Sequence, residues 1–213
     1  MRESYLGQLL VASSTVTDSM YANGVCLIVH DDGNRVIGVM LNRPLEADSA
    51  ALATIFGRTD SDPRTSSRSQ VQTDMGDQGS AQSVPASNHS PKARSLHFGG
   101  PLSGPIVALH QLRDYAEAET GDGIYVAAQK HHLMDLIQDQ DEPCRLIVGH
   151  LEWESEELAA EITHGCWHML PASVKDVFSS ADEMWSSVIR RATDTSLAKW
   201  IGLPDTNAVG ELN

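Results

Sequence analysis

Two short segments carry the residue types best suited to gripping a ligand. Asn42-Arg43-Pro44 closes an apolar run, and Phe98-Gly99-Gly100-Pro101 opens the longer turn Gly99–Pro105. A guanidinium offers a planar fork of donors that pairs bidentately with a carboxylate or phosphate. Glycine-rich turns can aim backbone N–H groups at an anion. The same residues also have a purely structural reading. Arg43 can pin the fold through an internal acid or backbone carbonyls, and Gly99–Pro105 can be a tight turn between strands. Pro101 and Pro105 have no N–H to offer, and a strand rather than a helix is expected to follow, so no helix dipole would assist an anion. The ligand reading gains weight if Arg43 and the Gly99–Pro101 turn are neighbours in space.

Other reactive residues give weaker patterns. Glu161, His164 and His168 have a spacing that would share one helical face and chelate a divalent ion. Pro171 follows closely and no HExxH is present, so the sequence assigns no metal, and it implies no cofactor. Glu152, Glu154, Glu156 and Glu157 suit a first helical turn, where acids complement the helix dipole. Serines lack a GxSxG context, and there is neither a Walker loop nor a dinucleotide fingerprint. Three cysteines, Cys26, Cys144 and Cys166, are widely spaced without a CxxC, which reads as inert thiols rather than a disulfide framework.

The elements that must position these residues follow from hydrophobic period and turn chemistry. Val25–His30 and Val36–Leu41 are apolar runs joined by Asp31-Asp32-Gly33-Asn34, a hairpin signal. Their apolar residues are consecutive, so both faces should be covered. Gly38 suggests a bulge or a close backbone approach. Pro44 ends the second run. Ala50–Phe56 is a possible short helix. Thr59–Arg94 is rich in Ser, Gln, Asp and Gly. It cannot bury enough surface to offset its ordering entropy, and it is expected to be a flexible inserted loop. Leu96–Phe98, Ile106–His110, Ile124–Ala127 and Arg145–Val148 read as strands, and Lys130–Asp139 as a helix. The last third is expected to be helical. Ser155 is a candidate N-cap for a helix to about His164. Ser180–Glu183 fits a capping box ahead of Trp185, Val188, Ile189 and Ala192, spaced i, i+3, i+4, i+7. Trp153 and Trp167 are expected to anchor the acidic helix to the sheet. Residues 204–213 read as a loose tail.

Composition bounds the partners. The chain has 213 residues, a net charge of −14 and 41% hydrophobic residues. Such a charge without a Lys/Arg cluster disfavours direct binding to nucleic acid or to anionic membrane. No stretch reaches the roughly 18 apolar residues of a membrane span. The N-terminus does not look like a signal peptide, and a cytoplasmic setting is expected.

Taken in order, several stretches resemble one family: Gly7–Ala12, Val25–His30, Ile37–Pro44, Phe98–Pro101, Gly149 with Trp153, Trp167 with Pro171, and Trp185. The set is similar to the AlgH/YqgE family of bacterial proteins over about residues 5–193, apart from Thr59–Arg94. The resemblance implies an α+β fold with a mixed, barrel-like sheet surrounded by helices, in a single domain over residues 1–203. It supplies no activity and no catalytic residue, and it implies an indirect transcriptional-regulatory link for some members. By matching motif it carries over one candidate surface: Asn42, Arg43 and Pro44 with Phe98, Gly99, Gly100 and Pro101. The chain departs from the family after Gly149. There His150-Leu151-Glu152-Trp153 stands for the usual Tyr-Ala-Gly-Trp. The resulting expectation is a non-enzymatic regulatory or binding protein acting on a protein partner. The alternative is an enzyme, or a binder of a small anionic metabolite or nucleotide, at the Asn42–Pro44 and Gly99–Pro101 surface.

Overall fold

The apolar runs fold as strands, and tight turns with satisfied backbone groups join them. A computed structural model describes residues 3–45, 96–139 and 141–200, with side chains to residue 194. All of these lie in one unit built from the two ends of the chain. The strands are β1 (Gln8–Ala12), β2 (Val25–Asp31), β3 (Arg35–Met40), β4 (Pro44–Leu45), β5 (Leu96–Phe98), β6 (Val107–His110), β7 (Ala118–Gly121), β8 (Ile124–Ala127), β9 (Arg145–Val148), β10 (Leu151–Glu154) and β11 (Trp167–Pro171). The helices are α1 (Lys130–Gln138), α2 (Ser155–Thr163), α3 (Val174–Val177) and α4 (Ala181–Trp200). The possible helix at Ala50–Phe56, the inserted segment Thr59–Arg94 and the tail 204–213 lie outside the described residues.

The expected hairpin is β2–β3. Its turn is held by carboxylates: Asp31 accepts the Gly33 N–H at 2.9 Å, and Asp32 accepts those of Asn34 and Arg35 at 3.0 and 2.8 Å. The register slips between Ile28 and His30, leaving Val29 as a bulge opposite the Ile37–Gly38 step. Gly38 faces Cys26 and Trp153, and a methyl group there would overlap the Cys26 sulfur. Close approach is the reason for that glycine.

The strands form two sheets. A five-stranded sheet runs β10-β3-β2-β1-β11, and a six-stranded sheet runs β4-β5-β9-β6-β8-β7. The first is antiparallel throughout, and the second contains one parallel pair, β5–β9. This corrects the barrel-like sheet that the family resemblance implied. β10 does not pair with β11, nor β4 with β7, so neither sheet closes. Closure needs one interior with apolar residues on one face of each strand. Here the five-stranded sheet is apolar on both faces, and each face meets a different layer. Leu9, Val11, Leu27, Val39 and Leu41 pack toward Leu109, Ile124 and Ile147 of the second sheet and Met184 and Val188 of α4. Leu10, Cys26, Ile28, Met40 and Trp153 pack toward Leu158 of α2. Each fully buried aliphatic side chain contributes about 1.5–3 kcal/mol relative to exposure.

The C-terminal third departs from the helical expectation, because β10 and β11 both join the first sheet. Leu151-Glu152-Trp153-Glu154 alternates buried and exposed with the period of two of a strand covered on one face, and it lies at the edge of its sheet. Glu152 and Glu154 therefore belong to a strand, and only Glu156 and Glu157 occupy the first turn of α2. The cap also moves by one residue. Glu154 is the N-cap and Ser155 is already helical, its N–H donating to the Asn34 carbonyl at 2.8 Å. The helix α4 forms over the expected apolar stripe, with Val188 and Ala192 buried. The Trp185 indole N–H ties it to the Ala12 carbonyl at 2.8 Å.

Candidate functional site

The two segments nominated by sequence are neighbours. The Phe98 N–H donates to the Arg43 carbonyl at 2.8 Å, and the Met40 N–H donates to the Gly99 carbonyl at 2.8 Å. The side chains between them, however, turn toward the protein's own main chain. Buried Asn42 accepts the Val25 N–H at 3.0 Å and donates to the Asn23 carbonyl at 2.8 Å. The Arg43 guanidinium donates to the carbonyls of Asn42, Met20 and Ala22 at 3.3, 3.2 and 2.7 Å. It stays half-buried, which lowers its pKa by desolvation. Among the described residues it forms no ion pair.

The Gly99-Gly100 turn is equally occupied. A methyl group on Gly99 would overlap the Gly149 carbonyl oxygen, and one on Gly100 the His150 carbonyl. Gly99 donates its N–H to Val148 at 2.7 Å, and Leu102 and His150 exchange backbone bonds at 3.1 and 3.0 Å. Gly149 lies at φ +79° against the Gly100 carbonyl. These glycines let two backbones approach closely. Phe98 is half-buried and Pro101 is exposed beside the turn.

Beneath this junction lies a polar centre that the sequence did not signal. Arg145 is 6% exposed and His97 2%. The guanidinium donates to the carbonyls of Leu41 at 2.7 Å, Val177 at 3.1 Å and Ser179 at 2.8 Å, and to the His97 ring at 2.9 Å. One side chain thus ties β9 to the end of β3 and to the α3–α4 connection. Burial lowers the Arg145 pKa to about 10, so it is charged at neutral pH. Burial, with the adjacent Arg145 charge, lowers the His97 pKa to about 4. Both ring nitrogens lie within reach of the same guanidinium nitrogen, at 3.1 and 2.9 Å, and because an arginine only donates, the one that pairs with it is the unprotonated nitrogen.

The metal arrangement does not assemble. Helix α2 ends at Thr163, and His168 sits in β11, so Glu161, His164 and His168 do not share a helical face. Glu161 instead accepts the indole N–H groups of Trp153 and Trp167 on one oxygen, at 3.2 and 2.7 Å. Among the described residues no group of three His, Cys, Asp or Glu side chains has metal-holding geometry. The Cys26 thiol is fully buried, and desolvation pushes its pKa far up, so it is a packing residue.

A groove of about 720 Å³ opens on the rim of the first sheet, lined by Gly33–Arg35 of the hairpin turn, Leu102, and Glu152 to Glu157. No sequence motif points to it. Its acids read in sequence as a helix-dipole cluster, and Leu102 belongs to the glycine turn.

Comparison with known proteins places this architecture. A family model described as AlgH-like matches residues 9–196. The chain belongs to that family. A UPF0301 protein of Thermobifida fusca is 28% identical over 193 residues, covering 89% of this chain and 88% of the relative. A UPF0301 protein of Chlorobaculum tepidum is 25% identical over 191 residues, covering 86% and 84%. The solution structure of the AlgH protein from Pseudomonas aeruginosa superposes with a TM-score of 0.58 at 16% identity, covering 100% of this chain and 99% of that one. A crystal structure of a Corynebacterium diphtheriae protein gives 0.61 at 19%, covering 90% and 88%. At these identities the two solved structures establish the fold alone. AlgH-like membership assigns no catalytic residue and no cofactor, so the biochemical function of the chain is unknown. Among the described residues no helix is long and apolar enough to cross a membrane.

Proposed function

We propose that this chain is a non-enzymatic binding protein with a regulatory role exercised through a protein partner. The observation that carries the reading is where the polar groups at the junction go. Asn42, Arg43 and Arg145 direct their hydrogen bonds to main-chain groups and the His97 ring. A group held this way fixes backbone geometry and is not poised to exchange a proton or attack a substrate. The charge of −14 argues against a nucleic-acid partner. A cytoplasmic setting is consistent with the odd cysteine count.

Reconstitution tests this reading. A protein captured by the chain from a bacterial lysate is identified, purified and recombined with the chain. A defined complex is expected on gel filtration. In parallel the chain is screened against nucleotides, phosphorylated metabolites and carboxylates by thermal shift and by product analysis. Turnover of any of these overturns the non-enzymatic reading.

A second reading rests on Arg43, whose half-exposed charge has no acidic partner among the described residues. In it, a small anionic metabolite or nucleotide binds beside Asn42–Pro44 and Gly99–Pro101. A thermal shift that disappears in Arg43→Ala would support that site.

A further inference from the structure

The groove on the rim of the first sheet has a chemistry of its own. Four glutamates, Glu152, Glu154, Glu156 and Glu157, line it with a single cation, Arg35. All four are exposed. Arg35 approaches Glu152 at 3.8 Å, with both side chains substantially exposed, so one acid is only weakly compensated. The three others form no ion pair among the described residues. Like charges this close in sequence repel unless something positive neutralises them.

Two further observations point to an occupant. Ser155 lines the groove, is 8% exposed, and its hydroxyl has no hydrogen-bond partner among the described residues. A hydroxyl left without a partner away from water is costly, and an arriving donor relieves that cost. Leu102, 44% exposed, gives the groove an apolar wall. Acids beside an apolar wall suit a lysine or arginine, whose methylene stem packs while its head pairs. The groove follows β10, the edge strand of its sheet, which favours an extended occupant.

We propose that the Gly33–Arg35, Leu102 and Glu152–Glu157 groove docks an extended segment of a partner protein in which basic and aliphatic side chains alternate. The basic heads lie among Glu154, Glu156 and Glu157, one donating to the Ser155 hydroxyl, and the aliphatic residues rest on Leu102. This rests on the binding reading above and names its partner chemistry. A second copy of the chain is a poor occupant, because each copy carries −14.

The test uses a fluorescein-labelled peptide of alternating arginine and leucine, with a glutamate–leucine peptide as its counterpart. Anisotropy is read with the full chain. Only the basic peptide should bind. The triple variant Glu154→Gln/Glu156→Gln/Glu157→Gln should weaken it about tenfold, as expected for losing several exposed ion pairs. Leu102→Ser and Ser155→Ala should each weaken it with the fold unchanged by circular dichroism. A control triple at exposed acids elsewhere, Glu119→Gln/Asp182→Asn/Glu183→Gln, should bind as the parent does. Equal weakening by both triples would show a diffuse charge effect and overturn the site. So would chemical-shift changes mapping away from the groove, or competition by spermidine as strong as by unlabelled peptide. Any of these outcomes removes the groove while a reconstituted partner complex still supports the binding reading. Absence of any reconstituted complex, with the peptide still bound at the groove, has the opposite meaning.

Discussion

Acid should weaken this protein in part through His97. The imidazole is buried against the Arg145 guanidinium and is neutral in the fold, with its pKa lowered to about 4 from an ordinary 6.5. In the unfolded chain it regains the ordinary value. Between pH 6.5 and 4 the unfolded state therefore binds a proton that the folded state refuses, and stability falls as pH falls. The contribution is intact above 6.5, is lost progressively down to about 4, and changes no further below that. A difference of this size corresponds to about 3 kcal/mol. Against a typical stability of about 5–15 kcal/mol that is a large share. The assay is urea unfolding at intervals from pH 7 to 4, on the native chain and on His97→Gln. The glutamine carbonyl can still accept from Arg145 but does not titrate. The native chain should lose about 3 kcal/mol more than the variant across this window. Parallel losses in the two proteins, or a His97 ring that titrates near 6.5 by NMR, would refute the reasoning.

Three further outcomes follow from the same geometry. Arg145→Met strands the Val177 and Ser179 carbonyls without their donor and removes one donor from Leu41; urea unfolding should show a loss of about 3–5 kcal/mol, in the range for breaking a buried charged network. Gly149→Ala forces a left-handed φ on an L-residue and drives its methyl group into the Gly100 carbonyl. It should cost at least about 1–2 kcal/mol by the same measurement. Glu161→Leu removes the common acceptor of the Trp153 and Trp167 indoles. A loss of about 1–3 kcal/mol is expected, with a changed near-ultraviolet dichroism from the tryptophans.

Local patterns carried much of the fold. The Asp31–Asn34 turn between two apolar runs is a local chemical signal, and the hairpin is there. The stripe through Trp185, Val188 and Ala192 has the period of a helix, and α4 forms over it. β10 and β11 were less legible. Each is only four or five residues long, and each flanks an acidic helical run that dominates the local composition. The sheet's closure was also not local. Whether β10 meets β11 depends on which layers cover the sheet, and the runs themselves say only that both faces are covered.

By itself the sequence determined the α+β composition, most strand and helix positions, the family and the acidic surface charge. These rest on period, turn chemistry and ordered motifs, all of which are properties of short stretches. It also named Arg43 and the Gly99–Pro101 turn, but not what they do. Only the tertiary structure brought Leu41, Val177 and Ser179 around Arg145, two indoles onto Glu161, and residues from three separate stretches around one groove. The reason is physical. A buried polar side chain finds its partners among main-chain groups far away in sequence, and every residue type carries the same carbonyl. Such partners leave no signature in the order of amino acids until the chain has folded.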